Sequence, residues 1–488
     1  MKKNKIYIVV LGLIILAAAF LRLYRLDEFV TFLGDQGRDA IIIKRILTLE
    51  HFPAIGAPSS VGQVYLGPFY YYLMAPFLLL FFFDPIGLAY GVAFLSIIGI
   101  LVSYLFLKKE LGRFVSLAFV ILIGFSYVNI DASRYSWNPN LLPFFTFFSL
   151  YFFYQSLKSR QLIYSILFGA FYAFSVQLHH LSLLMGGAFA IWLGLFIYRF
   201  GMSKKILIKL SCAIMTFLFF SIPLLIFDLK HNFLNTNNFI KLFTEKSVVS
   251  QGSPMSRFMD TSSAFFTHTF RAQVTGPVSI LILVLIIAIS IYLYRKKMFS
   301  SFASLNLLNF FSFLLLFSFL DSGRHPHYYG VIYASFFIIL AVFLNYFRRF
   351  GKKGLVIVGL SIIIYVGLNI KDLSFLIAKS GSNQIRYAKQ IATAMMPSID
   401  TYPYQVVALP PSVSDGHIRY FLEKSKTEKP LPEDSPEEPK ELFVLCHEVP
   451  CTVIGNAQWQ IASFKNAKID KIIPLPGVTV YKLVHIHE

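Results

Sequence analysis

Apolar runs of about 17 residues or more recur from the start of the chain to position 370 and then stop. Inside a hydrocarbon layer every backbone N–H and C=O must find its partner within the chain, so such runs fold as helices. The 488 residues are 56% hydrophobic and include 53 phenylalanines, which sets the chain among all-α polytopic membrane proteins. The expected spans are 6–21, 86–107, 113–129, 140–157, 161–178, 180–198, 205–227, 277–294, 300–320, 328–347 and 354–370. The stretch 67–83 (GPFYYYLMAPFLLLFFF) is the exception, being short, interrupted by Pro68 and Pro76, and opened by three tyrosines. Loop charge decides where it belongs. With 67–83 in the outer interface, the inner loops collect 19 Lys and Arg beside one acid, Glu110, while the outer parts collect 12 beside 11 acids. If it spanned, every later basic loop would face outward, against the positive-inside bias. The sequence therefore predicts eleven spanning helices, a cytoplasmic N-terminus, and a first outer loop over 22–85 ending in an interfacial helix at 67–83.

The first apolar segment follows Lys2, Lys3 and Lys5 but precedes no small-residue cleavage site, and it reads as a retained signal anchor. The net charge of +19 is not a nucleic-acid signal, because residues 371–488 carry 13 basic and 13 acidic side chains and the whole excess lies in the membrane part, 1–370. From Lys371 the composition becomes that of a small α/β domain, placed outside by parity. Ser382–Met396 is amphipathic, Gln405–Leu409 and Leu442–Cys446 are strand-like, His417–Lys424 lies between them as a helix, and Ile472–Val484 adds one or two strands. Lys426–Lys440, rich in Pro and Glu, is a linker. Cys446 and Cys451 can close a small disulfide loop if that domain is exported, whereas Cys212 sits in an apolar segment as packing.

Unusual polar residues collect on the outer side. Residues 1–370 hold 12 acids, and five of them (Asp27, Glu28, Asp35, Asp39 and Glu50) fall between 27 and 50. Charge beside a bilayer is costly unless water, a partner or a substrate satisfies it. No Gly-rich phosphate loop, HExxH or GxSxG elbow is present, so chemistry must be assembled from outer loops. Asp35 or Asp39 can take a proton as general base, with Gly34 and Gly37 allowing close approach of a substrate. Arg38, Arg134, Arg324, His325 and His327 can hold a phosphate, since guanidinium forks match its oxygens, and Tyr135 and Trp137 can stack on a sugar face. Each has a structural reading beside it. Asp131 can cap a helix or pair with Arg134, Arg324 can pair with Asp321, His179 and His180 can be packing at a helix end, Tyr70–Tyr72 read as an interfacial belt, and Asp27 and Glu28 as solvated acids.

Four motifs together resemble the integral-membrane GT-C glycosyltransferases, in particular the protein O-mannosyltransferase and lipid A aminoarabinose transferase group. They are GDQGRD over 34–39, YLGPFYYY over 65–72, DASRYSWNP over 131–139 and RHPHY over 324–328. The resemblance implies inverting transfer of a sugar from a polyprenyl-phosphate donor to a glycan, lipid or protein acceptor outside the cytoplasm. It implies Asp35 and Asp131 as catalytic acids, Arg38, Arg134, Arg324 and His327 at the donor phosphate, and Tyr65, Pro68, Tyr71, Trp137, His180 and Tyr328 along the substrate and lipid. No cofactor is required, and a divalent cation is left open. The chain departs from the family pattern in reading Asp35-Gln36 where an Asp-Glu pair is usual, and Leu66-Gly67 where some relatives have a lysine. The WWDYG signature of oligosaccharyltransferases is missing, which argues against N-glycan transfer. The alternative is a lipid or solute transporter, which calls for ionisable groups at mid-membrane and repeated halves; here the charges lie at helix ends and no halves repeat.

Overall fold

The computed structural model describes residues 2–59, 63–244, 253–320, 322–425, 429–432 and 434–486. Among these residues, 7 helical stretches are long and apolar enough to cross a membrane, as a multi-pass body requires. Two are interrupted, Ile86–Gly124 at Gly112 (φ 80°) and Tyr333–Ile370 at Gly351 (φ 66°). Both glycines hold a left-handed conformation that a side chain disfavours, and each sits at a basic cluster where one helix ends and the next begins. Glu110 accepts hydrogen bonds from Gln155 Nε2 (2.6 Å) and Lys158 Nζ (2.8 Å). Deep in the bundle, Asn309 Nδ2 donates to Ser335 Oγ and Ser335 Oγ donates to Asn306 Oδ1, both at 3.0 Å. They tie helix Ser301–Ser318 to helix Tyr333–Phe347 where an unpaired amide would be costly.

The interfacial helix is Phe69–Leu80, 12 residues long, or about 18 Å at the helical rise, too short for a hydrocarbon layer of about 30 Å. Its tyrosines do not form the expected belt. Tyr70 and Tyr71 are buried, and the Tyr70 hydroxyl shares a 2.7 Å hydrogen bond with that of Ser136. Only Tyr72 is exposed, donating to Pro53 O at 3.1 Å. The helix packs between Gly34–Leu47 and the start of Ile86–Gly124, so successive side chains, about 100° apart, cannot all face outward. Between the expected spans 205–227 and 277–294, the described residues include helices Leu234–Thr244 and Pro254–Phe270. The second buries Phe265 and Phe266 against the bundle.

The C-terminal part is a four-stranded sheet of order β1-β2-β4-β3, with β1 (Tyr404–Leu409), β2 (Glu441–Cys446), β3 (Ala467–Leu475) and β4 (Val478–His485). β1 and β2 are parallel, buried along their length, and joined through helix Gly416–Ser425, while the other pairs are antiparallel. Parts of the expected linker, 426–428 and 433, lie outside the described residues. Cys446 and Cys451 form a disulfide with a Cα separation of 6.4 Å.

This domain is held against the segment 22–85. Phe32 N donates to Gln384 Oε1 (2.7 Å), Asn383 N to Glu28 O (2.9 Å), and Tyr420 Oη to Phe83 O (2.7 Å). Arg45 pairs with Glu423 at 2.9 Å. A side chain on Gly37 would collide with the backbone of Gly416 and His417, and one on Gly34 with Ser414. Those glycines admit the C-terminal domain, and Gly34 also lines cavities formed against it. Gly37→Val is therefore expected to cost about 1–3 kcal/mol as overpacking against rigid backbone. Thermal unfolding of the purified protein checks this, and an unchanged midpoint would mean the contact is dispensable.

Candidate active site

Helix Gly34–Leu47 follows the first helix, Lys2–Leu23, after the short helix Leu26–Phe29, and its first turn is closed from within. Leu33 N donates to Gln36 Oε1 at 3.0 Å, the reach-back half of a capping box. Gln36, at the second position of the expected acid pair, is buried and serves this cap. Asp35 lies in the same turn, where the helix dipole favours a carboxylate. Its Oδ1 accepts from Arg38 Nη1 at 2.9 Å, yet 52% of the side chain stays exposed. The other face of Arg38 donates to Asp39 Oδ1 from Nε (3.0 Å) and Nη2 (2.8 Å). Asp39 is fully buried, and burial pushes its carboxyl up from the ordinary range against the pull of Arg38. For Arg38 burial works against the charge, but Asp39 and Asp35 hold it above its usual value. One guanidinium thus bridges a buried acid that fixes it and an accessible acid that it orients.

Three cavities meet at Asp35. The first, about 600 Å³, runs between the first outer loop and the helix ends, where Asp35 and Arg38 face Tyr65, Trp137, Asn138, His179 and His327. Tyr65 is pinned by a reciprocal pair, its N donating to Asn235 Oδ1 (2.9 Å) and its O accepting from Asn235 Nδ2 (3.0 Å). The Trp137 and His327 rings lie 4.6 Å apart, and His179 and His327 6.0 Å apart. Burial lowers His327 to about 3 and His179 well below the usual imidazole value, so both are neutral near pH 7. The second, about 440 Å³, lies between this helix and the C-terminal domain and also contains Arg38, Arg45, Arg419 and Glu423. The third, about 840 Å³, holds Asp35, Asp131, Tyr135 and Trp137 against Tyr387, His417 and His447 of the C-terminal domain.

Other residues singled out in the sequence fall elsewhere. Arg134 donates from Nη1 to Leu21 O (3.0 Å) and Arg22 O (3.1 Å), and from Nη2 to Tyr24 O (2.9 Å) and Arg25 O (3.3 Å), with Phe375 stacked 3.7 Å away. It closes the end of the first helix and does not line the cavities. Arg324 donates to Ser322 O (2.7 Å) and Leu320 O (3.3 Å) and lies over Phe317, outside the lining of the three cavities; Asp321 lies outside the described residues. His180 is buried against Phe239, behind His179, which takes the place in the cavity. Tyr71 and Tyr328 are buried, the second against the rings of His327 and His179, and Pro68 is buried at the start of the interfacial helix. Glu28 is paired with Arg25 at 2.6 Å. Asn138 was missed as a candidate; it is buried on the first cavity with no hydrogen-bond partner for its amide among the described residues. Among those residues no group of three or more His, Cys, Asp or Glu gathers as cation ligands.

No family model matches the chain, and no curated protein matches it. Its structure is similar to that of ArnT from Cupriavidus metallidurans bound to undecaprenyl phosphate, with a TM-score of 0.63 at 12% identity over 98% of this chain and 98% of that one. The apo form of the same protein gives a TM-score of 0.65 at 11% identity over 99% and 98%. The chain therefore shares the fold of that protein along nearly its whole length, C-terminal domain included.

Two outcomes follow from this geometry. Arg134→Met should lower stability by about 1.5–3 kcal/mol, the scale of hydrogen bonds to a charged group, because the carbonyls it serves are left in an apolar setting; thermal unfolding measures it. The buried imidazoles should make stability fall with acid. Unfolded histidines take up protons below about pH 6.5, whereas the folded chain refuses them until about 4 at His417 and about 3 at His327. Stability is thus full above pH 6.5 and drops through that window, and His327→Gln should blunt the fall in a pH series of unfolding midpoints.

Proposed function

We propose that the protein is a glycosyltransferase that moves a sugar from a polyprenyl-phosphate donor to an acceptor at the outer membrane face, with inversion and with Asp35 as general base. The observation that carries this reading is the half-exposed Asp35 carboxylate at the junction of the cavities, on a fold shared with a protein solved with undecaprenyl phosphate. In the proposed step an acceptor hydroxyl attacks the anomeric carbon as its proton passes to Asp35. The bond from that carbon to the phosphate oxygen breaks, and the phosphate leaves with the electron pair. Arg38, with Asn138, His179 and His327 beside it, is the donor-phosphate contact on the first cavity. Asp131, on the third, is an auxiliary acid. The loop charges favour a cytoplasmic N-terminus, eleven crossings and an external C-terminal domain.

Asp35→Asn keeps shape and removes the base. It should leave binding of undecaprenyl phosphate largely intact and cut transfer by about 10²–10⁴-fold in an assay with a panel of polyprenyl-phosphate sugars. Wild-type transfer by a folded Asp35→Asn protein would move the base elsewhere. A cysteine placed at Lys109, an exposed position, should be labelled only from the cytoplasmic side, and labelling from outside would overturn the topology.

A further inference from the structure

The third cavity differs in charge from the first. The first contains Arg38, whereas among the described residues lining the third there is neither lysine nor arginine. It presents two carboxylates, Asp35 and Asp131, with aromatic faces from Tyr135, Trp137 and Tyr387. Tyr135 and Trp137 lie nearly parallel, at 6.3 Å and 29°. Asp35 already has a cationic partner in Arg38 at 2.9 Å, and burial pushes the Asp131 carboxyl up, toward its uncharged form, against the pull of Arg134 and Arg271. An anion entering here would meet two acids and no facing guanidinium. Serine hydroxyls at 412 and 414 and the amide of Gln384 supply neutral hydrogen-bonding partners on the same wall. The volume, about 840 Å³, is in the range of small-molecule sites. Asp35 and Trp137 belong to both cavities, so a ligand in either one touches the same carboxylate.

We propose that this cavity, walled by the C-terminal domain, is the acceptor site and that the acceptor is an uncharged saccharide rather than a phosphorylated or otherwise anionic headgroup. The proposal rests on the transferase reading for its name as an acceptor site. The acceptor hydroxyl reaches the donor sugar past Asp35, which receives its proton, and the C-terminal domain sets acceptor specificity without touching the donor. Full-length protein in detergent, screened against an array of neutral, carboxylated and phosphorylated glycans, tests it, with undecaprenyl phosphate binding measured in parallel. Neutral saccharides should be retained. Ser412→Trp, which fills the cavity from an exposed position, and His447→Ala, which strips one wall, should each lower that retention by about tenfold or more while leaving undecaprenyl phosphate binding unchanged. Retention confined to anionic glycans, no retention of any saccharide, or retention indifferent to both substitutions would overturn the proposal. Saccharide binding that responds to both variants, in a protein that does not bind undecaprenyl phosphate, would keep the saccharide site and discard the transferase reading.

Discussion

The end of the molecule that carries the cavities depends on how the first helix ends. Its last carbonyls emerge among apolar side chains, where water cannot reliably serve them and an unpaired acceptor is costly. The Arg134 guanidinium, brought from the turn before the fourth expected span, reaches the carbonyls of Leu21 and Arg22 in the helix and of Tyr24 and Arg25 just beyond it, and places a positive charge where the helix dipole is negative. Below it Arg22 donates from Nε to Ser96 Oγ and from Nη1 to Ala18 O and Gly124 O, each at 3.0 Å, so the exit is tied to two other helices. With the exit fixed, the acidic helix that follows has one direction in which to run.

That helix separates two carboxylates four residues apart into different roles by environment. Asp39 is enclosed and holds Arg38, while Asp35, one turn earlier, is left at the mouth of the cavities. Position on the helix creates the difference, because one face meets the interfacial helix and the other the loops and the C-terminal domain. A buried ion pair costs desolvation, but here it fixes the orientation of an exposed partner.

Much of this was legible in the sequence because hydropathy and loop charge are strong signals. The apolar runs give the helical body, and the terminal elements from Gln384–Met395 to the last strand lie where pattern and composition set them. The acidic motif likewise marked the helix at the centre of the site. What failed was any inference needing to know which face a side chain takes. Tyr70 and Tyr71 look like an interfacial belt until the packing of their helix is known, and Arg134 looks like a phosphate ligand until the carbonyls above it are seen. His179 and His180 are adjacent, so one residue of phase decides which lines the cavity. The helix Pro254–Phe270 was recoverable, since Phe258, Thr261, Ser262, Phe265, Phe266 and Thr269 repeat at helical spacing, but its polar content hid the pattern.

The contact between the acidic helix and the C-terminal domain has a consequence in time. Arg45 and Glu423 are 378 residues apart. At about 5–20 residues per second of synthesis, the acidic helix waits roughly 20–80 s for its partner to be made. Two of the three cavities lack their C-terminal wall in that interval, so Asp35 lies on an open surface and those cavities close only when synthesis is nearly finished.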